Sequence, residues 1–402
     1  MPRATILRSL GLLAVGAALL SASPLVAAQP APARTLSPDT QFFVPDPNPG
    51  AKQQEEDLAR TGHPQDARLI RAMVSVPSAL WITAGTPAEA RNAAAQAVKK
   101  TKTVAVLAAY NIPGRDCGLY SAGGAQTSAD YAAWIDGLAS GIGNAKAVVI
   151  LEPDGLASMD CLSAEHKAQR LAELNAAVDR LEQQPQAIVY LDGGNGHWQA
   201  VGNIAQRLVD AGIARAQGFF LNVSNYRTTD AEIHYGTWVS KCLAFGQDAE
   251  EGGWRLGHYD WCASQYYSPN GPVDPDDTST WHNTDAWYDG AMGTAVPTTH
   301  FVVDTSRNGQ GPWRPSASYP DAQDWCNPPG RGLGLRPTAA TGAPLVDALL
   351  WVKVPGESDG SCNRGVAGST TDPEWGGIVD PRAGAWFPQQ ALQLAQLASP
   401  GL

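Results

Sequence analysis

The stretch A147-V-V-I-L151-E-P-D-G155 sets a run of β-formers directly before two carboxylates, with Pro153 between the acids and Gly155 after them. A near-continuous apolar run of this length predicts a parallel strand buried on both faces. Six other segments share the character: S78-A-L-W-I82, T103-V-A-V-L-A-A109, A187-I-V-Y-L191, Q217-G-F-F-L221, H300-F-V-V303 and A348-L-L-W-V-K-V354. Helical patterns lie between several of them. T86-P-A-E89 is a capping box with Pro at the first helical position, opening an alanine-rich helix to about Lys100. Residues 128–140, 163–183 (from Ser163) and 199–212 also read as helices. Strand alternating with helix predicts an α/β fold on a parallel sheet or barrel. With no Ser/Thr/Pro linker and no internal repeat, one domain is expected.

Nearly every strand runs straight into polar residues. Tyr110 and Asp116 come after the second, Glu152 and Asp154 after the third, Asp192 after the fourth, and Asn222 and Asn225 after the fifth. Asp304 and Arg307 follow the sixth, and Lys353, Glu357 and Asp359 close the seventh. In a parallel barrel all these ends open on one rim, so groups far apart in sequence converge there. The competing reading is that Asp and Asn merely start turns and cap helices. It fits any one of them, but not an acid, amide or base at nearly every strand end.

The chain begins with Arg3 and Arg8, an apolar run from Leu10 to Leu20 and the small-residue stretch V26-A-A28, the layout of a secretory signal peptide over residues 1–28. The run is too short to span a bilayer, so an exported, extracellular protein is expected, with residues 29–402 as its single domain. The leader holds two of the 28 basic side chains and none of the 39 acidic ones, leaving the mature chain a formal charge of −13. Such a surface repels phosphate backbones and anionic lipid, so neither nucleic acid nor membrane is an expected partner. Six cysteines in an oxidising compartment suggest three disulfides. A metal site is the competing reading, but C-x-x-C and H-x-x-x-H are both missing. No metal and no organic cofactor is expected.

A Gly-rich phosphate loop and H-E-x-x-H are absent, which removes the usual anchors of nucleotide and zinc chemistry. G193-G-N-G196 reads as a flexible strand-end loop. There remains a carboxylate cluster with Trp81, Trp198, Trp325 and Trp351 at or beside strand ends. Flat aromatic faces pack on pyranose rings, and paired acids can protonate a glycosidic oxygen and activate water. Core packing is the alternative for each tryptophan, most of all for Trp351, placed inside a strand.

Y110-N-I-P-G-R-D-C117, L151-E-P-D154, L191-D192, N222-V-S-N-Y226, D304-T-S-R-N-G309, D324-W-C326 and W351-V-K-V-P-G-E-S-D359 together resemble glycoside hydrolase family 6, the inverting cellulases, from about Ser75 to Leu397. The resemblance implies a distorted, seven-stranded parallel β/α barrel. It also implies roles: Asp154 as general acid, Asp116 beside Arg115 as the group that keeps that acid protonated and relays a proton from the attacking water, Asp359 as a candidate base, Asp192 as electrostatic support. Tyr110 would press on the sugar at the cleavage point. Trp81, Trp198, Asn225, Trp325, Lys353 and Glu357 fall where the family binds sugar. The family's disulfides suggest Cys117 with Cys161 and Cys326 with Cys362, leaving Cys242 with Cys262. One departure is Ala122, where relatives commonly carry a water-holding serine; Ser121 precedes it. Cellulose or another β-1,4-glucan is the implied partner of a monomeric enzyme.

Two long segments bear on mode of action. One runs from Tyr226 to Thr299, with Trp238, Trp254, Trp261, Trp281 and Trp287; the other from Gly360 to Trp386. Structureless excursions of this length are usually functional. In the resemblance, long loops accompany cellobiohydrolases that thread a chain through a tunnel, and residues 226–267 and 327–337 look like the bacterial cellobiohydrolase branch, releasing cellobiose from non-reducing ends. The alternatives are an open-cleft endoglucanase, a peripheral role for the longer insertion, and a non-catalytic glucan-binding protein on the same scaffold.

Overall fold

The computed structural model describes Met1 and residues 34–100, 102–248 and 253–402. The expected leader therefore lies, Met1 apart, outside the described residues. The seven apolar segments form seven strands: β1 (Leu80–Ile82), β2 (Ala105–Ala109), β3 (Ala147–Leu151), β4 (Ala187–Asp192), β5 (Gly218–Leu221), β6 (His300–Asp304) and β7 (Val346–Leu350). They pair in chain order, every pair parallel. Past the end of β7, the Trp351 carbonyl accepts from the Ala79 N–H at 2.8 Å, which curls the sheet until its two edges face each other. Trp351 to Val354 lie beyond the strand that was expected to contain them.

The unbroken apolar runs follow from this geometry. Leu107, Val149, Val189, Phe219, Phe301 and Leu349 face the surrounding helices, while Val106, Val148, Ile188, Phe220, Val302 and Ala348 fill the inside of the curl. Side chains alternate between faces, so a strand covered on both sides needs apolar residues at every position.

The expected helices are present as α3 (Pro87–Val98), α4 (Ser128–Ile142), α5 (Ala164–Leu181) and α6 (Val201–Asp210), preceded by α1 (Pro49–Arg60) and α2 (Pro64–Val74). The Thr86–Glu89 box caps α3 in both directions, and the Ser163 side chain caps α5. The segment from Tyr226 to Thr299 is not a structureless excursion: it holds α7 (Thr229–Gln247) and α8 (His282–Ala291). Trp238 and Trp281 are buried there in the main core, and Cys242 bonds Cys262. The last helix, α9 (Pro388–Gln396), packs with α1 and α2 around Trp351, closing the seam between β7 and β1. Trp351 is 1% exposed and packs in this cluster, while it also lines the groove at the rim. No helix of the described residues is long and apolar enough to cross a membrane.

Candidate active site

The turn after β3 resolves the pair of acids that ends it. Glu152 and Asp154 both adopt left-handed backbone, φ 54° and 64°, a region that side-chain-bearing residues rarely enter. Asp116, Asn222 and Ser224, on the neighbouring strand ends, do the same. Non-glycine residues held there concentrate where surrounding structure over-determines them, as at active sites. Across the turn the two carboxylates part company. Glu152 is fully buried and accepts the Asn111 and Ile112 N–H groups at 2.9 to 3.0 Å, tying β3 to the loop after β2. Burial outweighs those donors and pushes its pKa up to about 7. Asp154 lines a groove of about 990 Å³ across the rim.

That groove collects residues separated by most of the chain. Asp116, Asp154, Asp359, Tyr110 and Arg115 line it, as do Trp81, Trp198, Asn225, Trp325, Lys353 and Glu357. Asp192 alone of the expected catalytic and sugar-binding residues does not. Its buried carboxylate accepts from Leu156, Ala157 and Gly194 N–H groups at 2.8 to 3.1 Å, so it holds the turn that presents Asp154. Its charge still reaches the groove. Burial raises the Asp154 pKa well above the usual carboxylate range, and the charges of Asp192, Asp116 and Asp359 add to the rise. Among the described residues no hydrogen-bond donor reaches the Asp154 carboxyl, and the Lys353 charge works against the rise without reversing it. The neutral acid is therefore the favoured form.

Asp359 is the opposite case. Burial works to raise its pKa, yet Arg307 and Lys353 override that and hold it low. Its carboxylate accepts from Arg307 at 2.8 Å, the Asn327 N–H at 3.0 Å and the Tyr226 hydroxyl at 3.3 Å, and pairs with Lys353 at 3.2 Å. A carboxylate engaged so fully has little basicity left. Asp116 is intermediate: burial raises its pKa against the Ser121 N–H, which donates to Oδ2. Arg115 makes no ion pair with it; its guanidinium donates to the Thr83, Tyr110 and Ser121 carbonyls and lies 4.7 Å from the Tyr110 ring centre. Burial raises the Tyr110 pKa, with Asp154 and Asp116 adding to it.

Residues outside the expected set also matter. Asp304 ends β6 inside the structure and accepts four backbone N–H groups, from Ser224, Ser306, Val352 and Lys353, at 2.9 to 3.2 Å. One side chain thereby fixes the loops after β5, β6 and β7. Asn327 brackets Asp359: its N–H donates to the carboxylate, its side-chain oxygen accepts the Asp359 N–H, and its amide donates to Asp380 at 2.9 Å. Asp304 and Arg307 stand in the sequence at a strand end, a signal that identifies the rim without separating scaffold from site. For Asn327, right after D324-W-C326, only the motif itself points to it.

G193-G-N-G196, expected as a flexible loop, is buried and pinned: the Gly194 carbonyl accepts from the Asn222 N–H and the Gly196 N–H donates to Glu232. Cys117 is bonded to Cys161 and Cys326 to Cys362. Ser121 and Ala122 both line the groove.

The sequence profile of glycosyl hydrolases family 6 matches residues 37–398. The chain belongs to this family. Endoglucanase 1 of Streptomyces halstedii is 36% identical over 359 residues, 88% of this chain and 92% of the relative. A cellobiohydrolase C of Aspergillus fumigatus is 27% identical over 390 residues, 88% of this chain and 76% of the relative. Among solved structures, an endoglucanase of Mycobacterium tuberculosis in complex with methyl-cellobiosyl-4-deoxy-4-thio-β-D-cellobioside superposes with a TM-score of 0.65 at 35% identity, covering 89% of this chain and 97% of that one. The family expectation is thus met, while the relatives do not support the cellobiohydrolase branch over the endoglucanases.

Asp304→Ala would strand three buried N–H donors and the half-buried Ser224 N–H, each buried one costing on the order of 1–3 kcal/mol. We expect at least about 3 kcal/mol lost in urea unfolding, with activity falling in parallel as the three loops shift.

Proposed function

We propose that this protein is an exported, inverting hydrolase of β-1,4-glucans in which Asp154 is the general acid. The observation that carries the reading is Asp154 itself. It is a carboxyl set in a groove, ringed by three other acids, with no donor to stabilise its charge. Such an acid keeps its proton until a leaving oxygen takes it. In the proposed step the Asp154 proton passes to the glycosidic oxygen as the bond to the anomeric carbon breaks. Water adds to that carbon from the opposite face, and its proton leaves towards Asp116. Only Oδ2 of Asp116 accepts a hydrogen bond among the described residues, so the other oxygen can receive it. Asp359, already engaged by two cations, is assigned to holding Lys353 and the loop after β7 in place rather than to deprotonating water. Tyr110 sits edge-on to Trp81, with ring centres 5.5 Å apart, and the two form a platform for one sugar. Trp198 and Trp325 offer further ring faces along the groove.

For mode of attack, relatives named endoglucanases at 30–36% identity, against cellobiohydrolases at 27–28%, favour cleavage within the chain. One observation favours the exo reading. Tyr120, after β2, meets Trp325 with ring centres 6.0 Å apart, accepts a hydrogen bond from Gln323 at 3.3 Å, and abuts Gly360 after β7. These contacts join loops from two sides of the groove, as a roofed passage requires. A glucan with blocked or distant ends separates the two. An endo enzyme drops the viscosity of carboxymethylcellulose quickly with little soluble sugar; predominant cellobiose with slow viscosity loss would establish the exo reading instead.

The acid assignment fixes a pH signature. A raised pKa means that Asp154 is protonated below it and ionises as pH climbs through it, so kcat/KM falls on the alkaline side. Asp154→Ala should lose roughly 10²–10⁴-fold on unactivated β-glucan, lose far less on an aryl cellobioside whose leaving group needs no proton, and show no alkaline limb on that substrate. Near-normal glucan hydrolysis by the variant would refute the assignment.

A further inference from the structure

The strands run in order around the rim, so β7 and β1 mark one pole of the groove and β4 with β5 the opposite one. Trp198 stands at the second pole, 38% exposed, on the loop after β4. The next residue, Gln199, anchors the inner flank of the long insertion: its carbonyl accepts the Tyr235 hydroxyl at 2.8 Å and the buried Gln265 amide at 2.9 Å. Gln265 is followed by two tyrosines that stay in solvent, Tyr266 at 43% and Tyr267 at 65% exposure.

The turn that presents them is built to hold its shape. Ser264 is buried; its hydroxyl accepts both the Tyr266 and Tyr267 N–H groups at 3.1 and 3.3 Å, and its own N–H donates to the Tyr267 carbonyl at 2.8 Å. Thr284, on α8, donates to the Ser264 carbonyl at 2.8 Å. Farther along the insertion, Asp276 reaches back to the groove and pairs with two groove-lining side chains, His197 at 3.4 Å and Arg227 at 3.6 Å. Arg227 and His197 thereby tie this flank of the insertion to the same pole. The insertion is therefore not peripheral on this flank. It extends the wall of the groove.

We infer that Tyr266 is a sugar-stacking residue beyond Trp198, contacting a β-1,4-glucan chain where it leaves the groove at the β4–β5 pole. The inference rests on the glucan-hydrolase reading for its ligand and on the continuity of the wall for its position. A tyrosine ring on a pinned turn gives flat, amphipathic contact area at little entropic cost. A neutral polysaccharide also suits a surface whose net charge is strongly negative. Being remote from the acids, the contact strengthens substrate and transition state alike, so it acts on affinity and not on the chemical step.

The test is titration calorimetry of cellohexaose and cellotetraose in the Asp154→Ala background, with and without Tyr266→Ala and Tyr266→Phe. Tyr266→Ala should weaken cellohexaose binding about two- to tenfold and leave cellotetraose unchanged; Tyr266→Phe, which keeps the ring, should match the parent for both. In the active protein, Tyr266→Ala should raise KM for cellohexaose with kcat preserved. Unchanged cellohexaose affinity, or equal weakening for both sugars, overturns the proposal. So does a change in sedimentation on Tyr266→Ala with sugar binding intact, which would make the ring a contact between copies. Hydrolysis of both oligosaccharides by the parent protein alongside any of those results sinks the subsite alone, whereas tight binding without hydrolysis by the parent sinks the hydrolase reading and leaves the subsite standing.

Discussion

Burial of like charges on one rim is the constraint that organises this protein. Seven carboxyl groups, from Asp116 to Asp359, crowd the ends of parallel strands, where each ionised group is destabilised unless something compensates it. The structure compensates in two ways and leaves one acid out. Glu152, Asp192 and Asp304 commit their oxygens to backbone N–H groups and become scaffold, Asp116 accepts one such donor from Ser121, and Glu357 accepts from the Asn48 amide. Asp359 takes two cations. Asp154 has no such donor and no ion pair among the described residues, and its pKa is raised despite the Lys353 charge. The acid is singled out by what its neighbours have and it lacks.

The same division explains how much the sequence makes legible. Apolar runs bounded by Gly, Pro and polar residues mark all seven strands to within a few residues, because strands buried on both faces admit little else. Helices with caps, such as the one behind Thr86, are equally plain. The helices before β1 are not: α1 carries only Ala51 in the core and reads as a polar, charged segment. The stretch from Tyr226 to Thr299 reads as loop although α7 lies within it. That helix is buried on much of its surface, so its pattern lacks a clear polar face.

For the site, strand ends mark the rim, and motif order marks which acids matter. Direction is the property a sequence does not express. Glu152 and Asp154 are two residues apart and chemically alike, yet the left-handed turn sends one into the protein and the other into the groove. Asp192 and Asp304 likewise have the look of groove acids. Their hydrogen-bond partners come from other strands, and no local pattern predicts them. Asn327, which grips Asp359 from both sides of its peptide, is visible only once the loops after β6 and β7 are side by side.

The bond between Cys117 and Cys161 joins the residue after Asp116 to the short helical turn that follows Asp154. The spacing of these two loops is secured by a covalent link of a kind that a reducing cytosol does not sustain. The link therefore sets the distance between the loop that carries Asp116 and the turn beyond Asp154 independently of any hydrogen bond between them.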